Sequence, residues 1–209
     1  MDNQAGAVLG KNASIGENCS FGHNVVIGDN CVIGNGVTLH HNVVLYDGTR
    51  LDDGVEVFDN AVIGRPPRSA GYLMHKITEN LDPVHIGSNS IVGAGAVIYA
   101  GNEIGSHVLI GDNAALREEG VIEEYVVLGR FANTSHHTVI RHHSKVMDYS
   151  FVNAHSTVEE YVFIGANVIS TSGRDMRLTG PEWEGRRRTF QKGLQNCLER
   201  DGAARRYHR

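Results

Sequence analysis

Apolar residues recur at every sixth position along most of this chain. From Val84 to Ile169 the third residue of each six-residue block is aliphatic, with Thr134 the one departure, and the same frame runs upstream from Leu9 to Ile63. The first residue of each block is mostly small or β-branched. Positions one and three are two residues apart, so they point to the same side of a strand, here inward. No α-helix places apolar residues at a strict interval of six.

This period predicts a parallel β-helix, an all-β fold. Three flat faces make each coil eighteen residues long, so the twenty-four blocks of the sequence predict eight coils of a triangular prism. Glycine at position four is expected to permit the corner, and Asn or Gly often ends the block. We predict a β-helix over residues 1–170 and a separate, partly helical tail over residues 171–209.

The repeat is interrupted once, from Arg65 to Pro83, by a stretch that contains three of the four prolines. A segment of this length inside a compact fold is typical of a functional loop or a disordered one, so we expect a loop thrown out from one corner (residues 65–83). The tail has two interpretations. It caps the open end of the prism, or Arg186, Arg187 and Arg188 bind the phosphates of an acyl carrier.

Charge and cysteine content narrow the function classes. The net charge of −5 excludes a general nucleic-acid binder. Cys19, Cys31 and Cys197 are too few and too scattered for a disulfide framework or a cysteine metal site, and no metal is expected. The first residues lack the features of a signal peptide, and no stretch has the length of a membrane span, which predicts a cytoplasmic protein.

The outward second position of each block distinguishes the three faces. If the loop leaves and re-enters at one corner, every third block lies on one face. That face is mostly apolar: Val8, Val26, Val44, Val62, Val97, Ala115, Asn133 and Phe151. An apolar stripe on an outward face implies a buried contact, which closed cyclic symmetry would satisfy. The sequence therefore predicts a homo-oligomer that packs through this face.

Candidate chemistry lies where polar corner residues stack. Residues eighteen apart lie above one another at the strand spacing of about 4.8 Å. Glu119, His137 and His155 form one such column above Gly101, with Glu118 and His136 beside them: these polar residues are candidates for the site. A carboxylate beside an imidazole orients a general base and stabilises its cation. His137 is thus the first candidate for a base, helped by Glu119, and His75 in the loop is the second.

Residues 7–170 resemble the left-handed β-helix acyltransferases of the hexapeptide-repeat family. The run from Leu39 to Gly48 is similar to a corner in the nucleotide-linked amino-sugar N-acetyltransferases and in the UDP-N-acetylglucosamine O-acyltransferases. The resemblance implies a left-handed coil, a homotrimer and acetyl or other acyl coenzyme A as co-substrate. Substrate contacts are expected at Asn42, which matches the amino-sugar enzymes, and at His41, His155 and Tyr72.

At two positions where related enzymes have their catalytic histidine, this sequence has an acidic residue. Glu118 occupies the loop-exit position of that histidine in the lipid A enzyme. Asp148 occupies the position of the histidine in the bifunctional N-acetylglucosamine-1-phosphate enzyme. The corresponding histidines here, His136 and His137, lie one coil beyond Glu118.

The predicted function is transfer of an acyl group from coenzyme A to an amine or hydroxyl of a sugar or nucleotide-sugar. One alternative is a zinc enzyme similar to the γ-class carbonic anhydrases, because the segment from His136 to His143 carries closely spaced histidines, with His107 two coils below. A second alternative is a non-catalytic assembly subunit, since the fold alone does not define a function.

Overall fold

The computed structural model describes residues 6–71, 77–78 and 80–171. These residues form twenty-four short strands in three parallel sheets of eight strands each. Each strand pairs with the strands three before and three after it, so three consecutive strands complete one coil. The predicted all-β solenoid of eight coils is confirmed; its left-handedness remains a prediction.

Sheet A contains β1 (Val8–Leu9), β4 (Val26–Ile27), β7 (Val44–Leu45), β10 (Val62–Arg65), β13 (Val97–Tyr99), β16 (Ala115–Leu116), β19 (Asn133–Thr134) and β22 (Phe151–Val152). Sheet B contains β2 (Ser14–Ile15), β5 (Val32–Ile33), β8 (Arg50–Leu51), β11 (His85–Ile86), β14 (Glu103–Ile104), β17 (Val121–Ile122), β20 (Val139–Ile140) and β23 (Thr157–Val158). Sheet C contains β3 (Ser20–Phe21), β6 (Thr38–Leu39), β9 (Glu56–Val57), β12 (Ile91–Val92), β15 (Leu109–Ile110), β18 (Val127–Leu128), β21 (Lys145–Val146) and β24 (Phe163–Ile164).

The core fills the inside of the prism with the side chains at positions one and three. From Phe21 to Ile164 the third position is buried in every block, as the periodicity predicts. In these blocks Thr134 of β19 is the polar residue at the third position. It is 2 % exposed, and its hydroxyl lacks a hydrogen-bond partner. A buried hydroxyl in that state costs about 1–3 kcal/mol, so the strand that leads to His137 is less stable than its neighbours.

The corners depend on two positions of the block. Position six has a left-handed backbone, for example φ 57° at Asn30 and φ 53° at His137. Position-four glycines lie close to the next coil instead: a Cβ on Gly10 would come within 2.4 Å of the carbonyl carbon of Gly28. Glycine at position four therefore allows close approach of the coils, and position six, rather than position four, supplies the left-handed turn.

The loop leaves and re-enters at one corner without shifting the coil phase. Val62 of β10 pairs with Val97 of β13, and His85 of β11 pairs with Arg50 of β8. A bulge at Gly64, whose φ is 85°, extends β10 to Arg65, which pairs with Tyr99. The predicted grouping of one apolar face is thus confirmed, since sheet A is that face. Its side chains from Val44 to Phe151 are half-buried.

Several sequence predictions lie outside the described residues. They are the contacts of Tyr72 and His75 in the loop and of Arg186, Arg187 and Arg188 in the tail, together with the tail's helix. Within the part of the chain that is described, no helix has the length and apolar character of a membrane span.

Candidate functional site

The turns that join sheet A to sheet B form the A–B edge, and this edge carries the predicted polar column. Its position-six residues are Asn12, Asn30, Gly48, Gly101, Glu119, His137 and His155. His137 Nε2 lies 3.3 Å from Glu119 Oε2, and the His137 ring stacks on that of His155 with centroids 4.8 Å apart. The geometry of the column therefore agrees with the eighteen-residue spacing.

Both members of the pair are accessible to a ligand. The side chain of His137 is 41 % exposed and that of Glu119 is 29 % exposed. The His136 ring lies edge-on to the rings of His137 and His155, with centroids 5.4 and 5.0 Å away. Three imidazoles and one carboxylate thus converge on a surface of coils six to eight.

Glu118 differs from Glu119 because it is buried, with its side chain 3 % exposed. Arg117 contacts it through two bonds, Nε to Oε2 at 2.7 Å and an NH2 to Oε1 at 2.8 Å. Burial alone would raise the pKa of Glu118, but hydrogen bonds from Arg117 and from its own amide, with the charges of Arg117 and His136, lower it below the ordinary value. Glu118 is therefore a fixed negative charge beneath His136 rather than a proton acceptor near neutral pH.

The loop returns to the solenoid directly below this column. Ala100 N donates to Arg65 O at 3.0 Å, and Gly101 N donates to Asp82 O at 2.7 Å, so both ends of the loop bond to the A–B edge. Thr78 Oγ1 donates to Glu119 Oε2 at 2.9 Å. The sequence did not predict this contact, since the loop has no repeat from which its path could be derived.

A second feature that sequence reasoning missed is a stack at position four of the same edge. The guanidinium Cζ atoms of Arg65 and Arg117 lie 5.0 and 5.4 Å from the ring centroid of Tyr99. Arg65 also donates to the Tyr99 hydroxyl at 2.5 Å. The stack packs the loop exit against the Arg117–Glu118 pair, and both guanidiniums are held within a few ångströms of one ring.

Asn42 and His41 lie on a different edge, where sheet C joins sheet A. Asn42 belongs to a ladder of amides, accepting from Asn24 at 3.1 Å and donating to Asn60 at 3.2 Å. His41 Nδ1 accepts from the His23 amide at 2.9 Å, the part that Asp or Asn plays at other corners. In one protomer the structure does not bring these two predicted substrate-binding residues to the Glu119–His137 pair.

The remaining histidines of the upper coils lie on the third edge, where sheet B joins sheet C. His107, Tyr125, His143 and Tyr161 stack there at 4.9–5.0 Å, so Tyr125 separates His107 from His143. The histidines invoked for zinc are thus divided between two edges. Among the described residues, no three His, Cys, Asp or Glu side chains are grouped to hold a metal ion.

The backbone amides of the column are already committed to the coil below. The amides of Glu119, His137 and His155 donate to carbonyls at 3.4, 3.1 and 3.1 Å. These three amides therefore donate within the solenoid. An oxyanion formed in acyl transfer at this edge needs a hydrogen-bond donor other than these three amides.

Comparison with known proteins identifies the repeat. Residues 6–41 match the bacterial transferase hexapeptide (six repeats), and residues 78–100 match the hexapeptide repeat of succinyl-transferase. None of the curated proteins matches the sequence. The resemblance to hexapeptide-repeat acyltransferases is therefore confirmed by the repeats themselves and, as follows, by the fold.

Solved structures share the architecture at low sequence identity. The UDP-N-acetylglucosamine O-acyltransferase of Moraxella catarrhalis RH4 is 20 % identical, with a TM-score of 0.52 over 73 % of this chain and 65 % of that chain. The UDP-N-acetylglucosamine acyltransferase of Francisella novicida is 23 % identical, with a TM-score of 0.41 over 73 % and 60 %. The acetyltransferase domain of PglB from Neisseria gonorrhoeae FA1090, in complex with acetyl coenzyme A, is 16 % identical, with a TM-score of 0.38 over 70 % and 51 %. This chain spans less than two thirds of each of them.

Proposed function

We propose that the chain is an acyltransferase of the hexapeptide-repeat family, whose repeats match residues 6–41 and 78–100. It moves an acyl group, acetyl in the simplest case, from coenzyme A to an amine or hydroxyl of a sugar or nucleotide-sugar. The single observation that carries the proposal is the Glu119–His137 pair, Oε2 to Nε2 3.3 Å, at an accessible edge beside a loop.

The pair has the arrangement that a general base requires. A proton on His137 Nε2 faces the Glu119 carboxylate, which leaves Nδ1 with the lone pair that accepts a proton. Glu119 then orients the ring and stabilises the imidazolium that forms during the reaction. A positioned base of this kind contributes about 10²–10⁴-fold to the rate.

The reaction balances with this one base. His137 takes the proton from the acceptor N–H or O–H while that atom bonds to the thioester carbonyl carbon. The tetrahedral intermediate collapses, the carbon–sulfur bond breaks, and the imidazolium returns the proton to the departing thiolate of coenzyme A. The products are the acylated sugar and the free thiol.

The trimer predicted from the sequence bears on where the acceptor binds. Sheet A presents half-buried aliphatic side chains such as Val44, Val62 and Val97, as an association surface would. In a cyclic trimer the A–B edge of each protomer borders this surface. We place the acceptor beside that edge and under the loop, with Asn42 and His41 able to reach it only from a neighbouring protomer.

The test is thiol release from acetyl coenzyme A in the presence of a panel of amino-sugars and nucleotide-sugars. We expect acceptor-dependent release of the thiol, and a fall of at least about a hundredfold in His137→Asn. Asparagine keeps the left-handed backbone of this position, since Asn30 adopts it on the same edge. His143→Asn is the matched control, because His143 has the same conformation with φ 61° but lies on the B–C edge.

Two results would refute the proposal. The first is turnover in His137→Asn that equals the turnover of His143→Asn. The second is failure of the protein to bind coenzyme A in calorimetry or to release its thiol with any acceptor, as a non-catalytic assembly subunit would fail.

A further inference from the structure

The geometry points to Thr78 as a positioning residue that couples the loop to the Glu119–His137 pair. This inference rests on the proposed function and assigns a role to the loop that neither the repeat nor the family resemblance supplies. Thr78 does not touch the reacting atoms in this assignment. It acts through the carboxylate that orients the base.

Both partners of Glu119 meet at one atom. Thr78 Oγ1 donates to Oε2 at 2.9 Å, and His137 Nε2 lies 3.3 Å from the same Oε2. A carboxylate oxygen has two lone pairs and can accept a hydrogen bond from each of these donors. The hydroxyl therefore fixes the carboxylate in the plane where His137 Nε2 is its second donor, and the ring keeps its proton on that nitrogen.

The backbone around Gly101 brings Thr78 to this atom. Gly101 lies one coil below Glu119, and a Cβ there would come within 3.0 Å of Glu119 Cγ. The missing side chain leaves space in which the Glu119 side chain lies over the edge. The Gly101 amide also bonds to Asp82 O at 2.7 Å, which holds the return of the loop against the same coil.

The charges around the pair explain why a neutral donor suits this position. The rings of His136 and His155 have their centroids within 5.4 Å of the centroid of His137, and the Glu118 carboxylate is already paired with Arg117. A cation in place of Thr78 would compete with imidazolium for Glu119. A hydroxyl orients the carboxylate and leaves its charge available to the imidazolium.

The first measurement is steady-state kinetics of the full chain with Thr78→Ala. We expect kcat to fall about three- to tenfold, the cost of one hydrogen bond to a charged group at an exposed site. KM for the acyl donor stays unchanged, and Thr78→Ser restores kcat to within about twofold. Ser69→Ala is the control, since that loop hydroxyl accepts from the Gly71 amide at 2.9 Å.

A second readout separates positioning from a merely structural role. Nitrogen-15 NMR of the His137 ring reports which nitrogen carries the proton. In the parent protein we expect it on Nε2, and in Thr78→Ala we expect a mixture of the two tautomers. In a Glu119→Gln background Thr78→Ala should change neither the tautomer nor kcat, because the hydroxyl acts only through the carboxylate.

The two readouts keep this inference distinct from the proposed function. A protein that transfers no acyl group, but whose His137 tautomer responds to Thr78→Ala and not to Ser69→Ala, overturns the function and supports the positioning role. Unchanged tautomer and unchanged kcat in Thr78→Ala overturn the positioning role and leave the acyltransferase proposal standing.

Discussion

The lower and upper coils of the solenoid form the same left-handed corner with different side chains at position six. From Asn12 to Asn60, the left-handed position six is Asn or Gly at every described corner. From His107 to Tyr161 the same position carries histidine, glutamate or an aromatic residue at every corner except Asn113. The backbone conformation is constant, with φ 57° at Asn30 and 53° at His137, so the difference lies in the side chains alone.

The comparison shows what an unfavourable residue signals and what it does not. Asn and Gly adopt the left-handed backbone with little strain, whereas this conformation costs other L-residues about 1–2 kcal/mol each. On the B–C edge the strained residues form stacked rings, as at Tyr125 and His143, whose ring centroids are 4.9 Å apart. Among the described corners, it is at the A–B edge that strained residues pair with a carboxylate, as His137 does with Glu119. A residue other than Asn or Gly at position six therefore marks a corner where the side chain itself has a role. The group that this side chain contacts determines its chemistry.

The largest expected effect comes from converting the upper A–B edge to the lower one. The triple variant Glu119→Asn, His137→Asn, His155→Asn restores the residue that lower corners use. We expect turnover to fall by two or more orders of magnitude through loss of the base. The free energy of unfolding should rise by about 2–3 kcal/mol, because relief of strain at three positions outweighs the loss of the exposed pair and of the ring stacking. Urea unfolding at pH 7 measures the second quantity.

The reciprocal change in a lower coil is its control. Asn30→His introduces the strain without a carboxylate partner and removes the Asn12–Asn30 amide bond of 3.2 Å, so we expect a loss of about 1 kcal/mol. Equal stability in the triple variant and in Asn30→His would contradict the strain argument.

The sequence predicted what depends on the period and missed what depends on the loop and on rotamers. Twenty-four strands and the Glu119–His137 pair follow from eighteen-residue counting. The phase across the loop was a condition that the counting required, and the pairing of β10 with β13 confirms it. The Thr78 contact has no such rule. Arg117 and Glu118 are sequence neighbours at a turn, and nothing in the repeat indicates that Glu118 is buried or that the two side chains form two hydrogen bonds. Asn42 matched a family motif, yet its amide belongs to a ladder that any stacked Asn corner forms.

The next largest effect is expected when the buried Glu118 carboxylate of the upper coils loses its partner, Arg117. Arg117→Leu leaves Glu118 ionised in a site where its side chain is 3 % exposed, whereas Arg117 itself is 34 % exposed. Breaking a buried pair costs about 3–5 kcal/mol, and water at the Arg117 end reduces this, so we expect about 2–3 kcal/mol at pH 7. Arg141→Leu is the control, because its pairs with Glu123 and Glu159, at 3.4 and 2.9 Å, are exposed and worth less than about 1 kcal/mol.

The sign of the pH dependence follows from the Glu118 carboxyl. Its pKa is lowered in the folded protein, so its contribution to stability is present above the unfolded pKa and is lost as the pH falls through the folded pKa. The difference between parent and Arg117→Leu should therefore shrink as the pH falls through and below the ordinary range of a glutamate carboxyl, about 4. A difference that grows towards acid would exclude this pair as its source.

Gly101→Ala should have a smaller effect, because it adds a methyl group against the Glu119 side chain. The φ of Gly101 is 80°, and its Cβ would lie 3.0 Å from Glu119 Cγ and 3.1 Å from Glu119 N. We expect a loss of about 2 kcal/mol in urea unfolding together with lower turnover. Gly36→Ala should lower the free energy of unfolding by only about 1 kcal/mol, the conformational cost, since the φ of Gly36 is 65° and nothing lies within 4 Å of an added Cβ. Equal losses would show that the contact with Glu119 is unimportant.

The smallest effect tests whether the strand that carries the site is itself a weak point. Thr134→Val replaces a buried, unpaired hydroxyl by a methyl group of the same shape, so the free energy of unfolding should rise by about 1 kcal/mol. Thr138→Val in the same coil should lower it by a similar amount, because the Thr138 hydroxyl lies 2.8 Å from Ser135 O and 3.2 Å from Asn153 O. A rise in both variants would mean that the coil gains from apolar side chains generally. Opposite signs would show that β19 tolerates one unsatisfied hydroxyl three residues before His137, at a position where the lower coils have an apolar residue.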